Sequence, residues 1–264
     1  MEQKDNYIVI NGIKYYPVHE KNAICFYCSF YDDECDNCRL KNTGIKCETD
    51  SYFVKNIINS NGYDYVDLDL PSGTLWATKN IGASKPSDSG LYFQWGDIQG
   101  YTKGQIGKSD GKKKFSLDWS DYKWGNYSNF TKYKTYGSML ELEDDAAHIN
   151  MNGDWHIPSP VQIKELLDNT TNTWTTQDGV NGRLFTSKSD SSKSIFIPAA
   201  GDALDGSVCC RGSYGNVWSS MMDIGNVNYG QNFYFDSEDI DLYDDYRFYG
   251  HSVRGVIDKI QKNG

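Results

Sequence analysis

Around the stretch from Asp202 to Val256, residues of framework character alternate with dense runs of Tyr, Asn, Asp and Ser; the framework residues are Gly201, Gly215, Trp218, Ser219, Ser220, Gly250, Ser252, Val253 and Arg254. Little helix is visible in this stretch, so the chain must fold it as short strands and turns that present the polar residues between them. Tyr supplies large, rigid contact area at low entropic cost, and Asn, Ser and Asp supply adaptable hydrogen bonds. The stretch therefore reads as a recognition surface, and the remainder of the chain as what holds it.

The rest of the composition fits that reading. Hydrophobic residues make up 38% of the 264 residues, a low share, while aromatics reach 14% with 20 tyrosines. The core is expected to be aromatic and Gly-rich rather than built on Leu and Ile. A chain of this length can bury one substantial core, or a core with a small satellite. The net charge of −10 argues against a nucleic-acid backbone as main partner, which needs clustered Lys and Arg, and disfavours an anionic membrane surface. No run approaches the roughly 18 apolar residues of a membrane span. The start, MEQKDNYIVINGIKYY, lacks the basic-then-apolar layout of a signal peptide, so export by the usual route is not expected if Met1 is the native start.

Along the chain, Tyr7 to Tyr16 is two β-prone runs joined by Asn11-Gly12, the strongest short hairpin signal. Cys25, Cys28, Cys35, Cys38 and Cys47 follow, spaced C-x2-C-x6-C-x2-C-x8-C, before a β-like piece at Tyr52-Phe53-Val54. A lone hairpin is not stable in water, so the cysteines are expected to staple residues 1–60 into a small unit. Paired CxxC elements suit structural zinc, a cysteine-rich segment also suits disulfides, and unpaired thiols are the third option. Asn59-Ser60-Asn61-Gly62 reads as a linker. Strands are expected at Tyr65–Leu70, Thr74–Ala77 and Leu91–Asp97. Asp67 and Asp69 would share a strand face that is simply wet. Residues 98–137 read as loop, with the basic cluster Lys103, Lys108, Lys112, Lys113 and Lys114 solvated. A short helix is expected over Leu140–Asn150. A clearer one spans Ser159–Asn169, with Ser159 as N-cap, Pro160 at the first turn and Gln162 completing a capping box. Short strands at Leu184–Thr186 and Ser194–Pro198 complete a loop-rich α+β chain, with residues 258–264 as a tail.

An ordered set of motifs runs through residues 63–257: Val66-Asp67-Leu68-Asp69-Leu70-Pro71-Ser72-Gly73-Thr74-Leu75-Trp76-Ala77, Tyr92-Phe93-Gln94-Trp95-Gly96, Glu143-Asp144-Asp145-Ala146-Ala147, Trp155-His156-Ile157-Pro158-Ser159, Pro198-Ala199-Ala200-Gly201, Trp218-Ser219-Ser220 and Ser252-Val253-Arg254. Together they resemble the Fibrobacter succinogenes major paralogous domain. That family looks like a branch of the C-type-lectin-like fold shared with formylglycine-generating enzymes and with the variable proteins of diversity-generating retroelements. His156, Ser159 and Gly255 depart from the family pattern of Arg, Thr and Pro. The resemblance implies short antiparallel strands, few helices and a ligand-binding C-terminal face. On that face it places Asn226, Asn228, Tyr229, Asn232, Tyr234, Asp236, Asp239, Asp241, Tyr243, Asp244, Asp245, Tyr246, Phe248, Tyr249 and His251 at contact positions. The N-terminal segment more weakly resembles small tags on phage-encoded proteins, which implies attachment to other virion proteins.

Catalytic constellations are scarce. Formylglycine-generating enzymes bind copper through two separated cysteines, whereas Cys209 and Cys210 are adjacent and on a strand would point to opposite faces, one buried and one exposed. No Ser-His-Asp order appears among the four scattered histidines. The acidic run Asp236–Asp245 offers oxygens to Ca²⁺ but lacks EF-hand spacing, and a solvated or partner-facing loop is favoured. Trp76, Trp95, Trp155 and Trp218 are assigned to the core. The function expected is non-enzymatic: a binding protein on a virion surface, or alternatively on a bacterial cell surface, that recognises a host-surface glycan or protein through the 202–251 face. The alternatives are a structural virion decoration protein whose aromatic face packs on another subunit and, behind it, a formylglycine-generating-type oxidase. No cofactor beyond the possible structural zinc is implied, and a homo-oligomer is compatible but not encoded by any heptad run.

Overall fold

The computed structural model describes residues 8–10, 13–19, 51–55, 58–109, 115–127 and 129–258. It divides into two units, Met1–Ile58 and Asn59–Gly264.

In the first unit, β1 (Ile8–Ile10) and β2 (Ile13–His19) pair antiparallel with Ile10 opposite Ile13, the register a two-residue Asn-Gly connection sets. Strand β3 (Ser51–Lys55) then pairs antiparallel with β2. The expected hairpin and the later β piece thus belong to one sheet of order β1–β2–β3. Cys25, Cys28, Cys35, Cys38 and Cys47 lie outside the described residues.

The second unit starts in β4 (Ile58–Ser60) and continues through β5 (Tyr63–Asp67) and β6 (Leu75–Ala77). A two-residue hairpin, β7 (Gly125–Asn126) and β8 (Asn129–Phe130), interrupts the long loop region. Helix α1 (Ala146–Met151) and helix α2 (Pro160–Asn169) follow. A meander of β9 (Thr170–Gln177), β10 (Val180–Ser187) and β11 (Ser194–Pro198) comes next, then the hairpin β12 (Asp202–Leu204) and β13 (Ser207–Cys209). The last sheet consists of β14 (Gly215–Met222), β15 (Tyr229–Phe235) and β16 (Ile240–Tyr246), and β17 (Val256–Ile257) returns to pair with β6. The described chain is a loop-rich, mainly antiparallel α+β structure with two short α-helices, neither long and apolar enough to cross a membrane.

Helix α2 forms as its sequence dictates. Ser159 Oγ accepts from Gln162 N, and Gln162 Oε1 accepts from Ser159 N at 2.8 Å, so the capping box is complete. Helix α1 is shorter than the span Leu140–Asn150. Asp145 Oδ1 accepts from the amides of Ala147 and His148 and so starts the helix there, leaving Leu142–Asp144 as a 3-10 turn. The same carboxylate uses Oδ2 to accept from Ile157 N at 2.8 Å, which ties the Glu143–Ala147 motif to the Trp155–Ser159 motif.

The stretch Leu91–Asp97 is not the strand its alternation suggests. Gly90, just before it, and Gly96, within it, both adopt positive φ. The short segment between them changes partner after each residue: Tyr92 bridges to Tyr101 and Phe93 to His251. The extended pieces Leu184–Thr186 and Ser194–Pro198 do form strands, within the longer β10 and β11.

Two main apolar clusters carry the second unit, one around Trp95, Trp155 and Trp218 and one around Trp76, Phe185, Phe233 and Phe235. All four framework tryptophans are buried, as the sequence indicates. Two of them also tie segments together through their indole N–H groups. Trp95 Nε1 donates to Ser219 O at 3.0 Å and Trp218 Nε1 to Phe93 O at 2.6 Å, so the aromatic core and the backbone framework are one network. Gly230 is required where this network meets β15, because a Cβ there would lie 2.7 Å from Trp95 Cδ1.

Candidate functional site

Register assigns the two faces of the last sheet. Asn216 of β14 sits opposite Tyr234 of β15, which sits opposite Asp241 of β16. One step along, Val217, Phe233 and Leu242 are aligned, and the next step aligns Trp218, Asn232 and Tyr243. Side chains alternate across a strand, so Phe233 and Phe235 enter the core while Asn232 and Tyr234 face the other side. On that other side lies a cavity of about 380 Å³ lined by Asp202, Tyr214, Asn216, Tyr234, Asp236, Asp239, Tyr243, Asp244 and Asp245.

The tyrosines form the walls. Tyr234 lies between Tyr214 and Tyr243, with ring centroids 5.7 and 5.2 Å away. Two of the hydroxyls are committed to carboxylates: Tyr234 donates to Asp236 Oδ2 at 2.7 Å and Tyr243 to Asp239 Oδ2 at 2.6 Å. Burial and the adjoining Asp236 push Tyr234 up to about 12, and the bond to Asp239 raises Tyr243, so both phenols stay protonated at neutral pH.

The hairpin turn that carries Asp236 and Asp239 is held from beneath. Arg183 of β10 donates through Nε to Asp236 O at 2.9 Å and through Nη2 to Asp239 O at 3.2 Å. Asp236 Oδ1 closes the turn by accepting from the amides of Glu238 and Asp239 at 2.7 Å each. These amide bonds, with Tyr234, hold the Asp236 carboxyl below the usual carboxylate range.

The remaining carboxylates differ from one another in environment. Burial would raise Asp245, but His251 Nε2 at 3.1 Å and Asn232 Nδ2 at 2.9 Å outweigh it and hold the group below its ordinary value. Asp202 is shifted upward, chiefly by burial. Asp244 is pushed up to about 6 by desolvation and by the neighbouring Asp223 and Asp245. A carboxyl whose folded value exceeds its unfolded one favours the folded state while protonated, and opposes it once ionised. Asp244→Asn is therefore expected to raise the Tm at pH 7 to 8, with the gain shrinking as pH falls through 6 and vanishing near pH 4. Thermal melts across that range check it, and a pH-independent effect would contradict the assignment.

The positions drawn from the sequence fall into separate groups. Tyr234, Asp236, Asp239, Tyr243, Asp244 and Asp245 converge on the cavity. Asn232 and His251 are fully buried and act behind it, both on Asp245. Asn226 and Asn228 build the β14–β15 turn, where Asn226 Oδ1 accepts from Asn228 N at 3.0 Å. Tyr229, Tyr246, Phe248 and Tyr249 join an aromatic cluster with Trp119, whose ring lies 4.8 Å from Phe248 and 5.9 Å from Tyr246. Asp241 is exposed on β16.

Asp202, Tyr214 and Asn216 line the cavity but were not singled out from the sequence. Asn216 is legible only once β14 is registered against Tyr234. Asp202 arrives from a different sheet, through the antiparallel bridge of Ala203 to Gly250.

Two groups of candidate cation ligands have a defined geometry. Among the described residues, the carboxylates close enough to share one ion are Glu141, Glu143 and Asp144, and Lys132 already bonds all three at 2.6, 2.9 and 2.6 Å. No three acids of the Asp236–Asp245 run converge in that way. Cys209 and Cys210 correct an expectation. They are joined to each other as a disulfide and both are exposed, because Cys210 takes a left-handed φ of 61° that breaks strand alternation. In that state they offer no thiolate pair to copper.

Comparison of the chain with protein-family models, with curated proteins and with solved structures returned no match.

Proposed function

We propose that residues 63–257 are a C-type-lectin-like binding domain, displayed on a virion surface, that recognises a host-surface glycan or protein through the outer face of β14, β15 and β16. The observation that carries this reading is the cavity itself. Tyr214, Tyr234 and Tyr243 wall it, and its lining includes Asp202 and Asn216, whose buried Oδ1 atoms have no hydrogen-bond partner among the described residues. A buried acceptor left unpaired costs roughly 1–3 kcal/mol, and an incoming ligand recovers that cost. Paratope-like chemistry on a sheet braced by Arg183 is what a recognition surface needs. The N-terminal unit, with its cysteine-rich segment, would attach the domain to other virion proteins.

Immunogold labelling of purified particles, paired with host-cell binding of the full chain, tests the reading. Label on the particle surface and binding lost in Tyr234→Ala are expected. Cytoplasmic protein absent from particles, or binding unaffected by changes on this face, would overturn it.

A further inference from the structure

The cavity carries more information than its location, because its polar groups are nearly all of one kind. Asp202 is 7% exposed and Asn216 3%; both are lining residues, the Oδ1 of each is buried without a hydrogen-bond partner among the described residues, and Asp202 also takes the Tyr214 hydroxyl. Asp244 and Asp245 add carboxylates beside them, and no Lys, Arg or His is among the lining residues. The protons that Tyr234 and Tyr243 might offer a ligand are already donated to Asp236 and Asp239. A sugar presents hydroxyls that both donate and accept, and would find few donors here.

What the site lacks is a donor-rich cation. A spherical ion is a poor match, since no three of these carboxylates lie near enough to close on one point. A planar guanidinium spreads five N–H donors over a fork and stacks on aromatic faces, which suits acceptors distributed around tyrosine walls. Its charge would also offset the repulsion from Asp223 and Asp245 that, after desolvation, raises Asp244.

We propose that this cavity takes the guanidinium of an arginine side chain presented by a protein partner. The proposal rests on reading this face as the binding surface, and it narrows the ligand from glycan or protein to a basic protein segment.

The test titrates the full chain with N-acetylarginine amide, and separately with the citrulline analogue, which keeps the shape and loses the charge. Side-chain and backbone resonances are followed by NMR. Shifts confined to the cavity residues, a dissociation constant on the order of 1 mM and citrulline at least about tenfold weaker are expected. Asp244→Asn, which removes a carboxylate that holds no hydrogen bond or ion pair among the described residues, should weaken arginine severalfold while leaving the remaining spectrum in place. Equal binding of citrulline, no response to arginine, or the same shifts produced by Ca²⁺ alone would overturn the proposal. If host-cell binding requires Tyr234 while arginine has no effect, the ligand class is wrong and the binding face stands. If arginine binds but cell attachment ignores the face, the pocket chemistry stands and the attachment role falls.

Discussion

Replacing Arg254 by Met is expected to lower stability by about 3 kcal/mol, which for a domain of this size is a fall in Tm of roughly 6–12 °C. Arg254 is fully buried and has no carboxylate partner among the described residues. Its guanidinium is satisfied by Asn80 Oδ1 at 2.9 Å, Ala77 O at 3.0 Å and Phe196 O at 3.1 Å. Desolvation lowers its pKa to about 9, so the group is still charged at neutral pH. One side chain thereby joins β6, the following loop and β11, segments far apart in sequence. Met fills a similar volume and removes the cost of burying a charge, but leaves three acceptors short of a donor. Arg254→Lys should be worse than Met, because one ammonium cannot span three acceptors and remains buried as an undercompensated charge. Differential scanning calorimetry of the three proteins gives the order directly. A Met variant within about 1 kcal/mol of the parent would show that the fold does not depend on this junction.

The second large effect separates two neighbours on β15. Phe233 is fully buried, with ring centroids 5.8 Å from Phe185 and 5.5 Å from Phe235. Truncation to Ala should cost about 3–5 kcal/mol, the transfer term plus the cavity left in a well-packed cluster. Tyr234, one residue on, points to the opposite face and is only partly buried. Tyr234→Ala should cost about 1 kcal/mol, yet abolish whatever binds the cavity by removing its central wall. Urea denaturation and ligand binding measured on the same two proteins check the contrast. If both lose stability equally, the facing derived from the strand register is wrong.

These two cases show where the sequence speaks and where it stops. The capping box at Ser159 and Gln162 is local chemistry, and the helix forms on it. The Asn-Gly pair at 11–12 is likewise local, and β1 and β2 pair in the register it demands. Arg254 stands out as a framework residue, but its partners lie 174, 177 and 58 residues away, and no local pattern names them. The same limit divides the cavity. Tyr234, Asp236, Asp239, Tyr243, Asp244 and Asp245 cluster in one run and are visible as a group, whereas Asp202 and Tyr214 come from elsewhere in the chain. Asn216 depends on a register that shifts between Trp218 and Met222, an irregularity with no composition signature. The resemblance places His251 at a contact position, whereas in the fold it is buried between the Trp218 ring, 4.1 Å away, and Asp245.

Arg183 grips the β15–β16 turn by the carbonyl oxygens of Asp236 and Asp239, not by their side chains. Backbone oxygens are present whatever residue occupies a position. Arg183's hold on the turn is therefore independent of the side chains at those two positions, and away from Asp236, whose carboxylate closes the turn, mutation there can sample new ligands at little cost to folding. A surface built this way can be rewritten by evolution, or by a combinatorial library, while its scaffold stays the same.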